Sequence, residues 1–471
     1  MTSKLERVIM HVLEKVKPNM DEKDLIEKAT KFIKRQINIE LKRGNFKALV
    51  KVGGSVAKDT WLNGEADIDV FILFPPTLSK KMLGKVGLQI AKDAMKGSPW
   101  RERFAEHPYL ETYIEGFRVN IVPCYKVNKG EWISAADRSP FHTNYVRMKL
   151  SQEDVRDEIR LLKRFMIGVG VYGAEIKVGG FSGYLCELLV LGYQSFIQTL
   201  NEISRWKLGQ VVDVEKLYDG KYNEAQRYFD APLIVIDPVD ENRNVAAAVS
   251  KEKLGELITS SRCFLEKPEN SFFYPNETIC QSSNVIIENL IKLKSDLIFV
   301  IFRSETKIPD VLWGQLYKTN RALKRLLTQY DFRVLRSSAW SDEKGSNVLI
   351  FELETKNISL SKRHIGPQFD SKEARNFLNK HLDAKNTVSR PWIEGNRWIV
   401  GINRMYINAI SLLREKLEDG GINVGVASKF VKNIKNSEIY VNEEIIKFYS
   451  SNKEFAKFLS EFFKSKPNWI D

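Results

Sequence analysis

Two aspartates one residue apart, Asp67 and Asp69, open the apolar run DIDVFILF. In a strand, positions i and i+2 share a face, so this run sets two carboxylates side by side at one end. Like charges that close repel and raise each other's pKa, unless a cation lies between them. Twelve residues before Asp67 stands Ser55, in a turn, Gly53-Gly54-Ser55, that follows the short strand ALVKV and precedes a helix start. Glycines let backbone amides approach a ligand closely, and a helix N-terminus attracts anions. A phosphate cradle beside paired carboxylates is what a metal–nucleotide complex needs. Mg²⁺ takes a few carboxylates plus phosphate oxygens, and two metals can clamp the attacking and leaving oxygens of a displacement. A lone Asp-x-Asp is most often a solvated strand edge, and a lone Gly-Gly-Ser a plain turn. Their order and spacing together favour the chemical reading.

The elements around these residues read as a small α/β unit. Helix periodicity covers 4–45 and ends at Gly44. The strand ALVKV (48–52) is followed by the turn, the strand DIDVFILF (67–74) closed by Pro75-Pro76, a helix near 79–96, and the strand FRVNIVPCY (117–125), expected to stop at Pro123. From 151 to 205 the pattern is helical. DLIFVIFRS (296–304), a helix over 311–330 and the hairpin-like FRVLRSSAW-SDEKG-SNVLIFELE give a β-α-β-β run of ferredoxin-like or RRM-like order. WIEGNRWIV predicts a tight hairpin, and KEFAKFLSEFFKSK an amphipathic helix. Lys318, Arg321 and Arg325 share a helical face that is either solvated or in contact with RNA.

The chain has 471 residues, 43% hydrophobic and 28% charged, which predicts several soluble globular domains. No apolar run reaches the roughly 18 residues of a membrane span, and MTSKLERVIMHVLEKVKP lacks a signal peptide's apolar region. The four cysteines are scattered and form no CxxC pair, which indicates neither a zinc site nor a disulfide framework and suits a reducing cytoplasm. The net charge of +13 favours a polyanionic partner, nucleic acid first.

The stretch GGSVAKDTWLNGEADIDVF resembles the signature of the DNA polymerase β nucleotidyltransferase superfamily, and within it the archaeal-type (class I) CCA-adding enzymes. Further stretches share that resemblance: AEHPYLE (105–111), VPCYKV (122–127), SAADRSPFHTNYV (134–146), EIRLLKRFM (158–166), GVYGAEIKVGGFSGYLCELL (170–189), IDPVDENRNVAAAVS (236–250) and HIGPQF (364–369). The resemblance implies an α+β multidomain protein. Its parts would be a polymerase-β-like catalytic head over 1–150, a helical nucleotide- and tRNA-binding domain over 151–265, and a C-terminal body and tail over 266–471 with the RRM-like module at about 290–360. It implies addition of C, C and A to the 3′ end of tRNA from CTP and ATP, with Mg²⁺, without a template and with contacts along the acceptor stem and T arm. A homodimer through the terminal helices is a further expectation. By motif match, Gly54, Ser55 and Lys58 meet the triphosphate, with lysine where relatives carry arginine, so a point charge replaces a bidentate contact. His142, Lys163 and Tyr172 match positions that bind the incoming nucleotide, and Arg243 one that reads the base edge. His107, also in a matching stretch, receives no chemical role.

One position departs from the family pattern. The superfamily's third carboxylate falls on Asn120, whose amide oxygen can ligate a metal but brings no charge and cannot act as a base. Such losses run to about 10²–10⁴-fold in rate, so Asn120→Asp is expected to raise incorporation. Arg118 and Val122 on the same strand face supply no acid, and Glu111 and Glu115 would need the chain to turn back. The alternatives to an active enzyme are a catalytically weak or silent tRNA-binding relative, or a poly(A)-type polymerase of the same superfamily.

Overall fold

The computed structural model describes residues 3–104, 108–152, 154–306, 308–467 and 469–470; His107 lies outside them. The chain divides into two compact units, Met1–Glu277 with Lys466–Asp471, and Thr278–Ser465.

The first unit begins with helices α1 (Lys4–Val16), capped by the Ser3 side chain, and α2 (Met20–Arg43), capped by the Asn19 side chain, the two parted at Pro18. Then come β1 (Leu49–Gly53), the single turn α3 (Gly54–Lys58), β2 (Asp67–Phe74), α4 (Lys80–Ala94), β3 (Trp100–Phe104), β4 (Pro108–Ile114) and β5 (Phe117–Tyr125). The five strands form one sheet in the order β1-β2-β5-β4-β3, with β2 and β5 parallel and the other neighbours antiparallel. Alternation along the strands decides what lies where. Ile68, Val70, Ile72, Leu110, Val119 and Ile121 face α2 and α4, packing on Ile26, Ile33, Ile37, Leu83 and Ile90. Asp67, Asp69, Arg118, Asn120 and Glu111, of opposite parity, are left for the other face.

The sequence reading stopped β5 at Pro123, but the strand continues to Tyr125. Proline lacks an N–H and normally breaks a central strand. Here Pro123 pairs with Ile72 on one side only, because the β4–β5 ladder ends at Leu110–Ile121. Its missing donor costs no ladder bond.

The unit's second half is helical: α5 (Ser139–Gln152), α6 (Arg156–Gly168), α7 (Gly183–Tyr193), α8 (Phe196–Ile203), β6 (Gln210–Val212), α9 (Tyr222–Phe229), β7 (Leu233–Val235) and α10 (Lys251–Glu266). Its core is aromatic, with Phe165 packed against Phe196, Phe264, Phe272 and Phe273.

The second unit runs α11 (Ser283–Leu293), β8 (Asp296–Arg303), α12 (Pro309–Gln329), β9 (Val334–Ser341), β10 (Ser346–Leu353), β11 (Ser361–Gln368), α13 (Ala374–His381), β12 (Thr387–Glu394), β13 (Arg397–Asn403), α14 (Ala409–Glu418), α15 (Val431–Ile434), β14 (Glu438–Val441), α16 (Ile446–Ser451) and α17 (Lys453–Lys464). The expected β-α-β-β run is present in an antiparallel sheet ordered β14-β8-β10-β9. Both faces of that sheet are covered: Ile298, Val300 and Phe302 pack under α12 and α14, and Leu297, Phe299 and Ile301 under α11 and α17. The open base-stacking face of an RRM is therefore absent from it. The WIEGNRWIV hairpin joins β12 to β13, paired from Glu394–Arg397 inward, in a separate three-stranded sheet. Lys318, Arg321 and Arg325 are exposed on α12.

Candidate active site

The turn between β1 and α3 is built around Gly54, whose φ of +64° is left-handed. A Cβ there would lie 2.0 Å from Asp69 Oδ2, so only glycine lets this turn lie against the carboxylate. β1 and β2 pair with Gly53 opposite Asp69, which brings the turn and the acidic strand end together.

On the sheet's polar face, Asp67 pairs in register with Arg118, and Asp69 with Asn120. Arg118 holds Asp67 with both nitrogens of its fork, the Nε–Oδ1 distance being 2.8 Å. The Asn120 amide donates to Asp69 Oδ1 at 3.0 Å. Burial pushes the Asp69 carboxyl above its ordinary pKa, opposed by the Asn120 hydrogen bond and reinforced by the charge of Asp67. The same burial and its loss of water press for a positive partner at this carboxylate.

Asn120 has a second neighbour. The chain turns back through Glu115 and Gly116, both with positive φ, and the β4–β5 hairpin sets Glu111 directly opposite Asn120. The sequence reading left Glu111 out of reach; the hairpin makes it the adjoining residue on the same face. Glu111 is buried, and its Oε1 accepts from Arg103 at 3.0 Å.

Beneath the turn lies a buried charged cluster. Lys58, at the end of α3, donates to Glu187 Oε2 at 2.5 Å, and Thr60 to Oε1 at 2.6 Å. Lys163 reaches the same Oε1 at 3.2 Å and the Thr60 carbonyl at 2.9 Å. Despite burial, the two ammonium groups and the hydrogen bonds hold the Glu187 carboxyl down at about 2, while burial lowers the Lys163 pKa. Two lysines against one glutamate leave this spot with net positive charge. A second cluster centres on Asp237, just after β7, which is bound by His142 Nε2 at 2.8 Å, Arg243 at 2.8 Å and the Tyr184 hydroxyl at 3.1 Å. The Tyr184 ring stacks on His142 with centroids 4.2 Å apart. Asp237 is held down at about 2 despite its burial, and burial also lowers the His142 pKa, so the imidazole is neutral at pH 7. Burial raises the pKa of the Tyr172 and Tyr184 phenols, keeping both as O–H donors.

A cleft of about 300 Å³ gathers most of these groups: Gly54, Ser55, Lys58, Asp67, Asp69, His142, Lys163 and Tyr172 all line it. Asn120 adjoins it through Asp69, and Arg243 through Asp237. Glu187, Thr60, Tyr184, Asp237 and Glu111 were not foreseen as site residues. Glu187 carried one readable signal: it is the only charge in the apolar run GYLCELLVLGY, and a charge buried in such a helix needs a partner.

The donor set fits a divalent cation. Two carboxylates face one way, one half-buried and without a cationic hydrogen-bond partner among the described residues, and the Asn120 amide offers an oxygen if turned over. Among the described residues no three acidic, imidazole or thiol groups already converge; Arg118 is paired with Asp67 and Arg103 with Glu111.

Residues 33–142 match the family model of a nucleotidyltransferase domain, 157–274 that of a tRNA nucleotidyltransferase second domain, and 295–442 that of a CCA-adding enzyme C-terminal domain. A CCA-adding enzyme of Methanosarcina barkeri is 39% identical over 88% of this chain and 89% of its own length. Those of Methanosarcina mazei and Pyrobaculum islandicum are 35% and 36% identical, over 97% and 90% of this chain and 98% and 96% of theirs.

Proposed function

The chain belongs to the CCA-adding enzymes, the tRNA nucleotidyltransferases, and we propose that its cleft around Asp67 and Asp69 is where CMP and AMP are joined to the tRNA 3′ end with Mg²⁺ as cofactor. The reaction adds C, C and A from CTP and ATP without a nucleic-acid template. At each step the 3′-oxygen of tRNA bonds to the α-phosphorus, the α–β bridge breaks, pyrophosphate leaves and the hydroxyl proton passes to solvent. The single observation that carries this assignment is the Gly54 turn lying against Asp69 above two buried lysines.

Asp67 and Asp69 would hold the metal, with the Asn120 amide oxygen beside them. A Mg²⁺ held there would make the 3′-hydroxyl more acidic and offset charge on the triphosphate. The Ser55 turn and the net positive Lys58–Lys163–Glu187 cluster attract the triphosphate from below. Lys58 does so as part of that cluster, since its ammonium is already bound to Glu187. Tyr172 and neutral His142 border the nucleotide. Arg243, fixed by Asp237 and 37% exposed in its side chain, keeps donors free for a base edge. Contacts to the acceptor stem and T arm, a homodimer and a cytoplasmic location belong to the same proposal. No helix among the described residues is long and apolar enough to cross a membrane.

Incubation with tRNAs ending at the discriminator base, C or CC, with Mg²⁺ and each labelled nucleotide, tests the assignment. CMP, CMP and AMP should be added in turn and addition should then stop. Long A tails on unstructured RNA, or use of UTP or GTP, would sink it. Asn120 favours one second reading, a silent tRNA-binding relative, which predicts tRNA binding with no incorporation.

A further inference from the structure

The geometry points to Glu111 as the third carboxylate of the Asp67–Asp69 site, supplying from β4 the negative charge that Asn120 does not bring from β5. This rests on the cleft being the nucleotidyl-transfer site. Three strands place the residues in a row: Asp69 on β2 opposite Asn120 on β5, and Asn120 opposite Glu111 on β4. Residues paired across a ladder point to the same face. The β4 parity agrees, since Leu110 and Ile114 are in the core against α4, leaving Glu111 with Asp67, Asp69 and Arg118 on the polar face.

Reach permits the role. Opposed residues of an antiparallel pair have Cβ atoms about 4.5–5.5 Å apart, and glutamate carries its carboxylate one methylene further out than aspartate. A Glu one strand over can therefore bring its oxygens towards the place an Asp at 120 would occupy. Asn120, being neutral, leaves that space without like-charge repulsion. An Asp there would stand beside Glu111 in the same row, and two carboxylates in contact would each resist ionisation.

Burial and charge also support the role. Glu111 is 6% exposed on a polar sheet face, an uncommon place for a glutamate without a purpose. Its partner Arg103 is at the sheet edge and about a third exposed, so the guanidinium can turn out into water and leave the carboxylate to a cation, which would take over the pairing that a buried glutamate needs. The field of Glu111 already reaches the Asp67 end of the site: it adds to the upward shift of Arg118, whose largest cause is the hydrogen bond to Asp67. Arg118 on Asp67 and Arg103 on Glu111 thus hold the two outer carboxylates, with Asp69 between them.

The test is a cycle of full-length variants, parent, Glu111→Gln, Asn120→Asp and the double substitution, each checked for folding by circular dichroism and melting. Mn²⁺ binding to the nucleotide-free protein is read from the free-ion electron paramagnetic resonance signal, and CMP addition from single turnovers. Glu111→Gln should weaken Mn²⁺ binding about 10–100-fold and slow addition about 10²-fold. Adding Asn120→Asp to it should restore most of both, whereas Asn120→Asp in the parent should change either by only a few-fold. That narrows the expectation that an aspartate at 120 accelerates the enzyme: the gain belongs to the background lacking Glu111. Unchanged Mn²⁺ binding in Glu111→Gln would overturn the inference, as would an equal gain from Asn120→Asp in both backgrounds, since independent sites add. Should Glu111→Gln fail to fold, Asn120→Asp alone still decides: a gain near 10²-fold would mean no third charge was present. A parent that binds Mn²⁺ through Glu111 yet adds no nucleotide would refute the activity and leave this inference standing.

Discussion

Replacing Glu187 by glutamine isolates the buried charge cluster beneath the phosphate turn. Glu187 is 1% exposed and is the shared counter-ion of two ammonium groups, Lys58 at 2.5 Å and Lys163 at 3.2 Å. Its pKa falls from 4.5 to about 2, and that shift corresponds to ~3 kcal/mol favouring the folded, ionised form. The substitution also leaves two ammonium groups in a dry site without a counter-ion, for which removing one partner of a buried pair costs about 3–5 kcal/mol. Lys163 argues for the upper end, because burial already disfavours its charge. A loss of this size lowers Tm by roughly 6–15 °C, read by calorimetry of Glu187→Gln against the parent at pH 7. The pH dependence has a definite sign. A carboxylate with a depressed folded pKa stabilises fully above its unfolded value of 4.5, and the contribution is lost as pH falls towards 2. The gap between parent and variant should therefore shrink from pH 5 downwards. A Tm within about 1 °C of the parent at pH 7, or a gap that widens on acidification, would refute the reasoning.

Gly54→Ala forces a Cβ onto Asp69 and a left-handed backbone on alanine; it should cost about 1–2 kcal/mol from the backbone alone and slow single-turnover CMP addition by 10²-fold or more, and a parental rate would exclude the close approach. Asp237→Asn unties His142, Arg243 and Tyr184 from their shared carboxylate. Melting should show a loss of about 2–4 kcal/mol at pH 7, and NMR titration a His142 pKa lower still than the parent's, because the hydrogen bond and charge of Asp237 oppose the lowering by burial. The net charge of +13 predicts that tRNA affinity falls by about 10²-fold or more between roughly 50 and 200 mM salt; a flat dependence in filter binding would remove the basic-surface argument.

Local chemistry made the acidic strand and its neighbour legible. DIDVFILF occupies β2 over the residues expected, and FRVNIVPCY forms β5, which runs on past the expected stop at Pro123, because their apolar alternation marks them as strands. The helix ended at Gly44 as its composition requires. What the sequence did not yield is pairing. WRERF and PYLETYI became β3 and β4, but an edge hairpin dressed in arginine, glutamate and tyrosine has little of the apolar signal that marks a strand. Missing β4 hid the position of Glu111, since a residue nine places upstream of Asn120 becomes its neighbour only through the hairpin. Asp237 and His142 are far apart in sequence and meet through tertiary packing alone, so no spacing rule could join them.

The opening difficulty of two like charges side by side is met in this structure by unequal treatment. Asp67 is exposed enough to keep a guanidinium, and Arg118 stays with it. Asp69, one pleat further in, receives only an amide hydrogen bond, so burial outweighs that bond and the charges of Lys58 and Arg118, and its pKa rises. The difference follows from register: on β5 an arginine falls opposite the outer aspartate and an asparagine opposite the inner one. Had residue 120 been acidic, three carboxylates in one row, with Glu111 as the outermost, would have needed a cation merely to coexist. With asparagine in the middle, the row holds two acids separated by a neutral amide, and Asp67 adds a third to the same sheet face. The substitution that looks like a lost ligand is therefore also the spacer that lets a glutamate occupy the adjoining strand.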